Sequence, residues 1–113
     1  MSQVALVVGS SSGLGEPVLS ALGGLGYKIY SPSSKELDVR NAKLCHLALQ
    51  KILKVEKRLD VVVNLVGVSH SGLGLTATPE ELSHLLDVNA VGNFRLLQLC
   101  APHLSQATPG RFV

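Results

Sequence analysis

The chain has no tryptophan, only two tyrosines, two phenylalanines and two cysteines in 113 residues, and charged side chains make up just 16% of it. Each shortage excludes something. So few aromatics offer no row of stacking platforms, and the ten Lys and Arg residues form no cluster, so a net charge of +2 gives nucleic acid little to hold. Cys45 and Cys100 stand alone, which suits two reduced thiols packed on helices rather than a disulfide frame or a metal knuckle. His46, His70, His84 and His103 share no i, i+4 ligand spacing, so no metal is expected. No apolar run approaches the roughly 20 residues that cross a bilayer, and Met1-Ser2-Gln3 enters the first apolar stretch with no basic region ahead of it. The expectation is a cytoplasmic chain without membrane association, a mitochondrial location being left open.

What is present is an apolar fraction of 46%, which fits strands covered on both faces. The length suits one domain, 1–113, by the usual prior of about 100 to 200 residues each. Strand-like and helix-like periods alternate along it, the signature of successive βαβ units. The fold class is therefore α/β: a Rossmann-like, doubly wound parallel sheet with helices on both faces, incomplete at its C-terminal end, where Gly110-Arg111-Phe112-Val113 reads as the opening of another strand.

Val4-Ala5-Leu6-Val7-Val8 predicts the first strand, and Leu14, Val18, Leu19 and Leu22 recur at helical spacing after it, with Gly23-Gly24-Leu25-Gly26 as the stop. A second strand is expected over 27–30 and a third, short one at Glu36-Leu37-Asp38-Val39, with no room for a crossover helix between them. Leu44, Leu47, Ala48, Ile52 and Val55 mark one face of a helix over 41–57, and the lysines around them a solvated face. The stretch 59–66 is the strongest strand, placed beside the first. Thr78-Pro79-Glu80-Glu81 is a capping box that opens a helical stretch ending near Pro102 to Leu104. Ser69-His70-Ser71 lies in a loop without the strand–nucleophile–helix elbow that a hydrolase needs.

The informative segment is Gly9-Ser10-Ser11-Ser12-Gly13-Leu14-Gly15, which joins a strand directly to a helix. Gly9 lets the chain leave the strand sharply, Gly13 lets main-chain N–H groups approach a diphosphate with no Cβ in the way, and Gly15 lets the helix pack closely on the sheet. The helix N-terminus then offers partial positive charge to the anion, with the serine hydroxyls beside it.

Gly9, Gly13 and Gly15, followed in order by Leu37-Asp38-Val39, Asn64-Leu65-Val66-Gly67 and Val88-Asn89-Ala90-Val91-Gly92, resemble the N-terminal half of the classical short-chain dehydrogenase/reductase family. The segment 68–97 is most similar to its 3-oxoacyl-acyl-carrier-protein reductase and carbonyl reductase branch. The resemblance implies a nicotinamide cofactor, with Gly9, Ser11, Ser12, Gly13, Leu14 and Gly15 along the pyrophosphate and ribose, Asp38 and Val39 at the adenine, and Asn64 and Gly67 bordering the adenosine ribose and nicotinamide side. It also implies that Asn89 is the active-site asparagine, whose main-chain carbonyl holds a water of a proton relay. No carboxylate closes the second strand to accept from a free ribose 2′-hydroxyl, whereas Ser31, Ser33, Ser34 and Lys35 can donate to a 2′-phosphate, which favours NADP(H) over NAD(H).

By that resemblance the complete protein reduces a ketone or 3-oxoacyl thioester, so its partners are a small-molecule carbonyl or acyl-thioester substrate and, as a homo-oligomer, further copies. The chain departs from the pattern at Val8, where the family has Thr, and at Leu65-Val66, where it has Asn-Ala. It also lacks the family's catalytic pair, because neither Tyr27 nor Tyr30 is followed four residues on by lysine. A phenol of pKa near 10 is a poor acid partner at neutral pH without an adjacent cation. The alternative expectation is a shortened, inactive isoform that acts as a nucleotide-binding or interaction module with a full-length relative.

Overall fold

Every residue of β1 (Val4–Val8) is buried, and a short strand with no exposed face has to lie inside a sheet covered on both sides. In the computed structural model, which describes residues 2–69, 74–107 and 109–113, β1 runs between β2 (Lys28–Tyr30) and β3 (Val61–Asn64), and β4 (Arg111–Phe112) lies beyond β3. All pairings are parallel. Leu6 sits opposite Tyr30 on one side and Val62 on the other, and Val8 is level with Asn64. The chain passes from β1 through α1 (Gly15–Gly24) to β2, then through α2 (Ala42–Glu56) back across β1 to β3. Connections therefore leave β1 and β3 in opposite directions, which opens a crevice at their carboxyl ends.

Alternation along β1 assigns the two layers. Val4, Leu6 and Val8 pack with Cys45, Leu49 and Ile52 of α2 and with Leu96, Cys100 and Leu104 of α4 (Asn93–Leu104), while Ala5 and Val7 meet Val18, Leu19 and Leu22 of α1. Leu14 does not join that face; it is 65% exposed as the residue before the helix. Both thiols are free and buried, and burial raises them, Cys100 to about 12. Among the described residues there is no group of three His, Cys, Asp or Glu placed to hold a metal, and no helix long and apolar enough to cross a membrane.

Two expectations are corrected. Glu36-Leu37-Asp38-Val39 is not a strand. The Ser33 carbonyl accepts from the N–H groups of Glu36 and Leu37, and Asp38 O accepts from Asn41, so the backbone satisfies itself in turns where a parallel ladder had no crossover to reach it. Leu37 and Val39 are nonetheless buried, as core plugs between turns. The buried face of α2 is also rotated from the one anticipated: Cys45, Leu49 and Ile52 are inside, whereas Leu47 is 45% and Val55 68% exposed. The ends of α2 follow local chemistry, with Asn41 accepting from Leu44 N–H and Lys57 at φ 58° closing it.

From Pro79 to Leu104 the chain is helical throughout, as α3 (Pro79–Leu86), a π-helical turn (Asp87–Gly92) and α4. Thr78 caps it, its hydroxyl accepting from Glu81 N–H at 3.1 Å. Val88, Gly92, Leu96, Cys100 and Leu104, each four residues apart, are buried. Leu82, Leu86, Val91, Phe94 and Leu97 lie exposed, and the molecule measures 52 × 27 × 24 Å. Ser69 precedes, and Gly74–Thr76 follows as a single 3₁₀ turn; His70 and Ser71 of the polar loop lie outside the described residues.

At the amino rim of the sheet Asp60 is 1% exposed and fully engaged. Its carboxylate accepts from Val4 N–H at 2.7 Å and from Arg58 Nε and Nη2 at 2.9 and 2.8 Å, while its backbone bonds to Val4 and Arg111. Arg58, with help from the Val4 amide, holds this carboxyl below its ordinary range despite burial. The stability it contributes is therefore complete above the unfolded carboxylate pKa of about 3.9 and is lost as pH falls toward the lower native value. D60A should lose about 1–3 kcal/mol at pH 7 by orphaning a buried N–H. Urea unfolding of both proteins across pH 5 to 2 checks this: the native chain should lose more stability over that range than D60A, and parallel losses would contradict the assignment.

Candidate functional site

The glycine turn, the segment from Ser31 to Val39 and the loop from Leu65 to Val68 follow the carboxyl ends of β1, β2 and β3, and Asn89 bonds the last of these at Val68. The glycine turn follows β1. Gly9 stands at φ 82°, and a Cβ on it would fall 2.8 Å from Val66 N and 3.0 Å from Leu65 C, so only glycine lets the end of β1 cross the end of β3 this closely. Ser12 closes the turn with two bonds to Gly9 O, from its N–H at 3.2 Å and its hydroxyl at 2.9 Å, and Gly15 N–H donates to Ser12 O at 2.9 Å.

Gly15 is required for a reason other than close packing of helix on sheet. A Cβ there would lie 1.5 Å from the Ser10 carbonyl oxygen, so the crowding comes from the turn's own backbone. Gly13 faces open space, with nothing within 4 Å of a Cβ built on it, and Ser11, Ser12 and Leu14 are exposed around it. No side chain caps the first turn of α1. A positive-φ strand exit, an open glycine and an uncapped helix start together make a turn whose remaining backbone amides suit an anion.

Three loops surround these amides. In the first, Ser31, Ser33, Ser34 and Lys35 are exposed after β2, but Ser33 N–H already donates to Glu36 Oε1 at 3.0 Å, which brings a carboxylate into the same turn. That bond lowers the Glu36 carboxyl from its ordinary range. In the second, Asp38 is bridged by Arg40 through Nε at 3.1 Å and Nη2 at 2.9 Å and by Arg40 N–H at 2.9 Å, so the guanidinium keeps it ionised below the usual range. The Cys45 thiol donates to Asp38 O at 3.2 Å. Val39 is buried under Gly92, where a Cβ would meet its Cγ2 at 2.8 Å, and Arg95 Nη1 donates to Val39 O at 2.5 Å.

The third loop follows β3. Asn64 Oδ1 accepts from Val66 N–H at 3.1 Å, and its Nδ2 donates to Asn93 Oδ1 at 2.8 Å. Asn89, in the π-helical turn, makes a two-way pair with the backbone of Val68, accepting its N–H at 2.9 Å and donating to its carbonyl at 2.7 Å. Gly67 lies beside it, a Cβ being 3.6 Å from Asn89 Oδ1. The structure thus joins Asn64, Gly67 and Asn89 in one cluster next to Gly9, with Asp38 and Val39 across the start of α4. Sequence reasoning named Gly92 only within its motif and missed Asn93 and Arg95; the available signal was two polar side chains placed four and six residues after Asn89.

A family model described as enoyl-(acyl carrier protein) reductase matches residues 16–113, starting just past the glycine turn. The chain belongs to the short-chain dehydrogenase/reductase family. It is 27% identical to a 3-ketodihydrosphingosine reductase of Bacteroides thetaiotaomicron over 98% of this chain and 45% of that protein. It is 24% identical to a 3-oxoacyl-[acyl-carrier-protein] reductase of Vibrio cholerae over 98% of this chain and 53% of that one. The fold is similar to a solved structure described as ElxO with NADP bound, at TM-score 0.87 and 21% identity over 99% of this chain and 54% of that one. The chain spans about half the length of these relatives.

The two inner glycines differ in what the fold asks of them. G15A should lose about 1–3 kcal/mol or more through overpacking against Ser10, while G13A should stay within about 0.5 kcal/mol of the native chain. Urea denaturation of both variants checks this, and equal losses would show that the turn is not held as described.

Proposed function

We propose that this chain forms the dinucleotide-binding part of an NADPH-dependent short-chain reductase acting on a ketone or 3-oxoacyl thioester. The observation that carries the reading is the Gly9–Gly15 turn at the carboxyl rim, where Gly13 faces open space and the start of α1 has no side-chain cap. Bound there, the nicotinamide supplies or accepts the hydride. The amides of Ser11, Gly13 and Leu14 hold the diphosphate, Ser12 and Gly15 use theirs to close the turn, and Gly9 keeps the wall formed by Leu65 and Val66 within contact. Asp38 and Val39 receive the adenine, Asn64 and Gly67 border the sugar and nicotinamide, and Asn89 orients the loop at Val68 while its main chain serves the proton relay.

Exposed Ser31, Ser34 and Lys35 support a 2′-phosphate, and Glu36 sets the limit of that preference by its negative charge in the same turn. The chain contains no Tyr followed four residues on by Lys, so acid–base chemistry of the family type has to come from residues other than its own. That feature equally supports a second reading, a nucleotide-binding module without turnover that pairs with a full-length relative. The exposed line Leu82, Leu86, Val91, Phe94 and Leu97 supports association with another copy or such a relative.

With no tryptophan to act as an energy donor, binding is best read from the emission of the reduced cofactor itself. NADPH should bind saturably and more tightly than NADH, K35E should narrow that difference, and G13V should abolish binding without changing the melting temperature. Equal or absent binding of both cofactors by the folded native chain would reject the reading. Light scattering on the same protein should show concentration-dependent dimers or larger species that F94E disperses; a monomer at high concentration would remove the association.

A further inference from the structure

We infer that Asn93 is a positioning residue that fixes the nicotinamide-side wall of the crevice by acting through Asn64; the inference rests on the cofactor-binding reading above. The hydrogen-bond polarity leaves one arrangement. Asn64 Oδ1 is occupied by Val66 N–H at 3.1 Å, so the amide side of Asn64 has to point the other way as a donor, and Asn93 Oδ1 receives it at 2.8 Å. The N–H held in this way belongs to the same residue whose nitrogen would lie 2.8 Å from a Cβ on Gly9. A drift of the loop by a few tenths of an ångström therefore moves the wall of the cradle, not a remote surface.

The grip has two points on one helix. Asn93 holds the loop where β3 ends, and four residues earlier Asn89 holds it at Val68 through both backbone groups. Gly92, between them, is buried against Val39, which leaves the helix no freedom to rotate away. The ladder holds the near end, Leu65 N–H donating to Val8 O at 2.8 Å, and Asn89 holds the far end; between them Val66 N–H rests on the Asn64 side chain, which Asn93 orients. The bond from Asn93 spans 29 positions in sequence, so it is tertiary and not part of any local turn.

The chemistry predicts an unusual pattern of substitution. Asn93 acts as an acceptor, so N93D keeps the bond and N93L loses it. Amide hydrogen exchange in the cofactor-free chain reads the wall directly, and NADPH titration reads its consequence. N93L should speed exchange at Val66 about tenfold, as expected for loss of roughly one hydrogen bond, and weaken NADPH by a similar factor, with Leu6 and Val62 amides unchanged. N93D should restore both. Unchanged Val66 exchange in N93L, acceleration spread equally over Leu6 and Val62, or a folded N93D that fails to restore the wall would each overturn the inference. A native chain that binds no dinucleotide would reject the function proposed above, while exchange at Val66 would still decide whether Asn93 holds the loop.

Discussion

The structure depends on one close approach, that of the backbone at the end of β1 to the backbone at the end of β3. Parallel strands normally keep their side chains between them and whatever follows, but at Gly9 the chain turns with positive φ across Leu65 and Val66 at a distance no Cβ permits. This places the glycine turn and the loop after β3 as two walls of one crevice. Val8, level with Asn64 in the ladder, brings both loops out at the same height. Had the register slipped by one residue, the Val4, Leu6, Val8 face and the Ala5, Val7 face would have exchanged layers.

The helix over Asn89 to Arg95 then converts those loops into a site. Three side chains reach back from it, Asn89 to Val68, Asn93 to Asn64 and Arg95 to Val39, and each bonds a group on a loop that follows a strand. The π-helical turn just before α4 lets one helix both bury Val88, Gly92 and Leu96 in the core and aim asparagines at the rim. Gly92 carries the packing side of this arrangement, since any larger residue would strike Val39.

Much of this was legible in the sequence because it depends on local pattern. β1 announces itself by five apolar residues without a break, the Thr78 cap by its box, and the glycine turn by its place between a strand and a helix. The failures have physical causes. Leu37 and Val39 look like strand residues because they are buried and β-compatible, yet burial here comes from turns closed by Ser33 and Asp38 carbonyls, which no apolar pattern encodes. On α2 the expected face found Ala48 and Ile52 but took Leu47 and Val55 in place of Cys45 and Leu49, because helical spacing alone does not say which of several neighbouring apolar residues the sheet covers. Asn93 and Arg95 stand out as polar residues, but their roles could not be read because their partners, a side-chain amide and a main-chain carbonyl, lie 29 and 56 residues away without a sequence signature.

The two rims of the sheet are held by different chemistry. The amino rim carries the buried charge, where Asp60 ties Val4, Arg58 and the start of β4 into one knot and so fixes the register of three strands from below. A charged knot of that kind at the carboxyl rim would fill the crevice and repel or capture an anion regardless of its shape. Around the glycine turn that rim instead holds its loops with neutral asparagines and a serine, whose bonds are directional but weakly charged. The charged groups stand to the side of β2: Asp38, which Arg40 neutralises in place, Glu36 on Ser33 N–H and Arg95 on Val39 O. Strong electrostatics on the face that only has to stay folded thus leave the opposite face free to be shaped by backbone geometry, which is the property an amide cradle requires.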